Sequence, residues 1–136
     1  MTQEDKELLL KDLCARVPYG MFVHHKNVNQ DYNLIAVFDD GRIGVTTLKE
    51  NVGLTPTSIN ECKPYLRPMS SMTEEERKEW FKYSHVEYDC EFKPEPTLLV
   101  DYCHLSIDWL NAHHFDYRGL IPMGLALEAP ADMYKI

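Results

Sequence analysis

The stretch MFVHHKNVNQDYNLIAVFDDGRIGVTTL, residues 21–48, decides the fold. Met21, Val23 and His25 alternate with Phe22 and His24, and a period of two sends successive side chains to opposite faces of a strand. Asn27 to Asp31 is a polar turn. Tyr32 to Phe38 is rich in β-forming residues, and Asp40-Gly41 is a two-residue hairpin signal because both positions tolerate positive φ. Ile43, Val45 and Thr47 alternate through the segment that follows, Arg42 to Leu48. Three antiparallel strands in a meander are the expectation, and so small a sheet needs one face covered.

The nearest cover precedes it. Leu9, Leu10, Leu13 and Val17 recur at helical spacing and predict a helix over 3–16, capped by Thr2, with Glu4 and Asp5 in the first turn where the dipole favours acid. Pro18-Tyr19-Gly20 stops it. Beyond the meander, Leu54-Thr55-Pro56 breaks the chain, and Ile59 to Cys62 is a short strand or turn. Pro64 and Pro68 hold residues 63–69 extended. Thr73 and Glu76 have the spacing of a capping box and open a second helix over 73–84, with Trp80, Phe81 and Tyr83 as its apolar edge. Within 85–114, His85 to Phe92 and Thr97 to Cys103 read as strands, and Ser106 reads as the N-cap of a short helix over Ile107 to Ala112. The tail 115–136 carries Leu120, Ile121, Met123, Leu125, Ala126 and Leu127, apolar enough to pack on the body. No repeat or linker divides the chain. The expectation is one α+β domain over 1–136: a small antiparallel meander or SH3-like barrel-type sheet, with an N-terminal helix and two further short helices packed on it.

Composition narrows the function. The chain has 136 residues and a formal net charge of −8, with 44% hydrophobic and 11% aromatic residues, which supplies a core. The charge opposes non-specific binding to nucleic acid or an anionic membrane, both of which need clustered Lys and Arg. The start, Met-Thr-Gln-Glu-Asp, offers neither the basic nor the apolar region of a secretory signal, and no apolar run approaches the roughly 20 residues of a membrane span. A cytoplasmic location is expected. Cys14, Cys62, Cys90 and Cys103 form no C-x-x-C pair and are expected as reduced thiols.

Chemistry is sparsely signalled. His24-His25 and His113-His114 are adjacent pairs, and neighbours on a strand face opposite ways, so neither pair readily supplies two ligands to one metal. Cys90, Cys103 and His104 match no zinc spacing, so no metal and no cofactor is expected. There is no G-x-S-x-G, P-loop or G-x-G-x-x-G motif, and an enzyme is not supported. His113-His114-Phe115-Asp116-Tyr117-Arg118, after the third helix, is the densest constellation. It can bind an anion or run acid–base chemistry, or it is a helix C-terminus followed by an Asp–Arg pair that fixes the turn.

Two strings carry a resemblance: KPYLRPMSSMTEEE, residues 63–76, and DWLNAHHFDYRGLI, residues 108–121, running on to GLALEAP, residues 124–130. Together with Leu8–Arg16 and Pro18–Gly20, they resemble a family of small uncharacterised proteins from gut Bacteroidales-type bacteria and their prophage-like mobile elements. The resemblance covers about half of the chain. It implies a bacterial or phage-encoded accessory protein and transfers no activity.

The function expected is therefore a non-enzymatic protein-interaction module with a protein partner, or a second copy of itself. Its candidate binding residues are Trp109, His113, His114, Phe115, Asp116, Tyr117 and Arg118, with Tyr65 and Arg67 on the Pro-flanked segment, since Trp, Tyr and Arg are the usual interface anchors. The alternatives are a nucleic-acid-linked role, by single-strand binding or acidic inhibition of a nuclease, and a small metal-dependent or histidine-based hydrolase using His104, His113 or His114.

Overall fold

A computed structural model of the chain describes residues 1–47, 55–84 and 104–134. Helix α1, Gln3–Arg16, begins in a full capping box: the Thr2 hydroxyl accepts from the Asp5 amide while the Asp5 carboxylate accepts from Thr2. A 3₁₀ turn at Val17–Tyr19 and Gly20 at φ +74° redirect the chain into the sheet. Strands β1 (Met21–His25), β2 (Gln30–Val37) and β3 (Arg42–Thr47) form the expected antiparallel meander. The β2–β3 hairpin closes differently from the sequence expectation. Only Gly41 takes positive φ, at +86°, and Phe38 exchanges backbone bonds with Gly41 and Arg42, so the loop is a three-residue turn around Asp39-Asp40 with a glycine bulge. Asp31, assigned by sequence to the turn, lies in β2, which starts one residue before it.

Three further strands extend the meander, one of them, Cys62–Leu66, largely within the stretch expected to be extended. Thr55–Ser58 is β4 and pairs with β3, placing Pro56 opposite Gly44. A proline expected to break the chain is accommodated here because β4 is an edge strand. After a 3₁₀ turn at Ile59–Glu61, β5 (Cys62–Leu66) pairs antiparallel with β1, and β6 (Leu127–Glu128) lies parallel to β5. The six-stranded order β4-β3-β2-β1-β5-β6 is that of an open, mostly antiparallel sheet, with the tail contributing its last strand.

Helix α2, Glu74–Ser84, opens with the predicted Thr73–Glu76 box. Helix α3 spans His104–Ala112, so Ser106 is not its cap. Ser106 sits inside the first turns, fully buried, where its carbonyl accepts the Trp80 indole N–H at 3.3 Å. The strands expected over 85–92 and 97–103 lie outside the described residues. No helix among the described residues is long and apolar enough to cross a membrane.

Two apolar clusters result. In the first, Leu9 and Leu13 of α1 cover Met21, Val23, Leu34, Ile43 and Val45, with Leu66 and the tail residues Leu120, Leu125 and Ala126 closing the end. In the second, Trp80 of α2 meets Trp109 and Leu110 of α3, together with Met72 and Phe115. Met123 of the apolar tail is the exception and stays exposed.

Between the clusters lies a buried ion pair. Asp12 and Arg16, one helical turn apart and both wholly excluded from solvent, are joined at 2.8 Å, and Arg16 Nη2 donates to the Phe115 carbonyl at 2.6 Å. Arg118 adds a second cation 3.5 Å from Asp12. Removing the partner of a buried charge costs far more than the pair contributes. Arg16→Ala should therefore lower the unfolding free energy by about 3–5 kcal/mol in urea titrations. The apolar double replacement Asp12→Leu with Arg16→Met should lose clearly less, since the one charge it leaves without its partner, Arg118, is partly exposed.

Candidate functional site

The constellation at 113–118 is built on the end of α3. His113 N–H bonds to Trp109 O, His114 N–H to Asn111 O and Phe115 N–H to Leu110 O, the pattern of a Schellman C-cap with His114 in the left-handed position at φ +66°. Glycine usually stands there, and histidine is among the few other residues that tolerate it. The reversal turns Phe115 back onto Leu110 in the second core cluster.

The structure brings the predicted residues together and turns most of them inward. Trp109, His114, Phe115 and Asp116 are buried, while His113, Tyr117 and Arg118 are half-buried. The His113 ring lies on Trp109 at 3.9 Å, with Nδ1 2.9 Å from the Trp109 carbonyl. Asp116 and Arg118 do not pair with each other as the turn reading supposed. The Asp116 carboxylate accepts the Leu120 and Ile121 amides at 2.8 and 2.9 Å, and Arg118 reaches Asp12. Tyr117 is approached by Arg16 and Arg118, whose guanidinium carbons lie 5.2 and 4.8 Å from its ring centre. Burial raises the Tyr117 phenol above its ordinary value, keeping it protonated.

Arg67 joins this segment from the other side. Its backbone donates to His114 O and accepts from Asp116 N, a parallel bridge to Phe115, and its guanidinium lies over the Phe115 ring at 4.1 Å. The same guanidinium grips Glu76 through two bonds of 2.7 Å. Those bonds hold the Glu76 carboxyl below its usual range against the opposing pull of burial.

Tyr65 belongs to a second group, on the sheet face away from α1. Its hydroxyl donates to Asp31 Oδ1 at 2.8 Å, and the His24 Nδ1 meets the same oxygen at 2.8 Å across the β1–β2 pair. Burial, reinforced by the Asp31 carboxylate, pushes the Tyr65 phenol up to about 12. His25 points the other way, to Glu61 at 3.2 Å, as alternation requires. Among the described residues no three His, Cys, Asp or Glu side chains are grouped to hold a metal ion. Cys62 is buried, and burial lifts its thiol to about 11, while Cys14 is exposed. Cys90 and Cys103 lie outside the described residues.

Sequence reasoning missed Tyr134. Its hydroxyl accepts the Phe22 amide at 3.0 Å and donates to the Tyr65 carbonyl at 2.7 Å. The β1–β5 register stops at Val23↔Pro64, so Phe22 and Tyr65 are the next facing pair, and the phenol bridges them where the strands part. The Tyr134 ring is stacked on both Phe22 and His114. Nothing local marked it, because its partners lie 112, 69 and 20 residues away in sequence.

Tyr134 also walls a surface groove of about 450 Å³, lined by Arg67, Pro68, Ser71 and Thr73 and by residues 128–131. A second depression of about 400 Å³ lies between α1 and the β2–β3 turn, with Lys6, Asp40 and Arg42 on its rim. Neither a family model nor a curated protein nor a solved structure matches the chain.

Tyr134→Phe leaves two backbone groups without their bridge and should cost about 2 kcal/mol in urea unfolding. Tyr65→Phe, which leaves Asp31 still bonded to His24 and partly solvated, should cost about 1 kcal/mol or less.

Proposed function

We propose that the chain is a non-enzymatic protein-interaction module, an accessory protein of bacterial or phage origin, which docks an extended segment of a partner in the groove beside β6. The groove carries this reading. Its volume lies within the range of binding clefts, and Pro68, Ala129, Pro130 and Ala131 give it apolar walls. Its charge also has a sign. Glu76 already neutralises Arg67, whereas Glu128 is exposed, so the favoured occupant is an apolar side chain flanked by a basic residue.

The interface residues move accordingly, from Trp109 and the 113–118 turn to the groove that those residues support. Arg67 and Tyr134 connect the two: both line the groove and both contact the turn. The basic–aromatic positions that a single-stranded nucleic acid would use are engaged internally, Arg67 by Glu76 and Arg118 near Asp12. That favours a protein partner over a phosphate backbone.

Selection of a displayed random-peptide library on the immobilised protein tests the reading. Enriched peptides should place Lys or Arg beside an aliphatic or aromatic residue. Calorimetry on a synthetic copy should show at least tenfold weaker binding to Ala131→Trp, which fills the groove, and to Glu128→Lys. Asn60→Ala, on the second depression, should bind as the parent does. No enrichment, or peptides that bind Ala131→Trp unchanged, would overturn it.

A further inference from the structure

We propose that residues 129–134 form an acid-released strap, with His114 as the group that loosens it. The proposal is independent of the docking reading, since it concerns only how the tail is held. Four features fasten the strap: the Ala129 amide on the Leu66 carbonyl at 2.8 Å, the Tyr134 hydroxyl between Phe22 and Tyr65, the Tyr134 ring stacked on Phe22 at 5.2 Å, and the same ring against His114 at 3.7 Å, nearly parallel. Only the last involves a group that titrates near neutrality.

His114 is built into a place that suits neutral imidazole. It is 8% exposed, and its Nδ1 is buried with no hydrogen-bond partner among the described residues. The charged and titratable groups near it come from three directions. Arg16 of α1 donates to the carbonyl of the next residue, Phe115; Arg67, at the end of β5, lies over the Phe115 ring; His113 precedes it in the turn. The neighbouring carboxylates are already engaged: Asp12 with Arg16, Glu76 with Arg67, and Asp116 with two backbone amides. Tyr134 faces it as a protonated phenol, raised by burial. An imidazolium here would have a buried N–H without an acceptor and two guanidiniums close by.

The direction of the effect follows. Burial first, then Arg16, His113 and Arg67, lower the His114 imidazole to about 4; releasing the Tyr134 ring uncovers it and raises it toward, at most, the ordinary value near 6.5. A group depressed in the closed form takes up a proton on opening, so opening is favoured as pH falls from 6.5 toward 4. The closed-to-open equilibrium should shift toward the open form by up to about 20-fold between pH 7 and pH 5, and by up to about 100-fold at pH 4.

Native-state hydrogen exchange by mass spectrometry at pH 7, 6 and 5, corrected for intrinsic rates, tests this on the full chain. The expected result is a rise of up to about 20-fold in strap opening across 129–134 by pH 5, with β1, β2 and β3 still protected. His114→Asn, which suits the left-handed backbone and does not titrate, should flatten that pH dependence. Tyr134→Phe should raise strap exchange at every pH and keep the dependence. An NMR titration of the wild-type imidazole, which needs no variant, should place His114 well below the ordinary histidine range. Strap exchange unchanged from pH 7 to 5 would overturn the proposal. So would sheet amides losing protection in step with the strap, an unshifted His114, or His114→Asn retaining the wild-type profile.

Discussion

The buried guanidinium of Arg16 is the constraint on which the remaining structure depends. It sits on α1, pairs with Asp12 one turn earlier, and uses a second N–H for the carbonyl of Phe115, 99 residues away. A charge removed from water is tolerable only with its partners in place. The N-terminal helix therefore cannot settle on the sheet independently of the turn after α3. Arg118, near Asp12, and Tyr117, between the two guanidiniums, are held by the same pair. What reads in sequence as a binding run or a helix-ending turn becomes the seam between two apolar clusters.

Strand β5 carries that coupling into the sheet. Its first residues pair with β1, its last with β6, and Arg67 just beyond it bridges to Phe115. Pro64 lacks an amide hydrogen, and past it the β1–β5 ladder ends. Tyr134 supplies the missing bridge with a side-chain hydroxyl, so the C-terminal tail completes a sheet begun more than a hundred residues earlier. The groove beside β6 exists because these pieces, 67–73 and 128–134, are fixed at a set separation. The pairing of Arg67 with Glu76 ties the first of them to α2.

The site was legible only in part. Arg67 and Tyr65 were selected as interface anchors, and Arg67 does line the groove, but it does so already neutralised. Trp109 and Phe115 read in sequence as candidate binding residues, and their size is what places them in the core. The His24–Asp31 pair follows from hairpin register alone, yet with Asp31 read as a turn residue the register could not be drawn. Proline in β4 and serine inside α3 misled for a shared reason. Propensity describes what a residue favours in water, while an edge position or a buried helix turn changes which of its groups must be satisfied.

Local sequence by itself determined α1 with its capping box, the β1–β2–β3 meander, the Thr73–Glu76 start of α2 and the α+β class. Each rests on periodicity or on contacts within a few residues, which a sequence displays directly. Tertiary structure alone decided the pairing of β5 with β6, the burial of Arg16 and the bridge made by Tyr134. It also decided which residues face the groove. Those outcomes join groups 62 to 112 residues apart, and no local pattern encodes them, because what selects them is the cost of leaving a buried polar group unpaired.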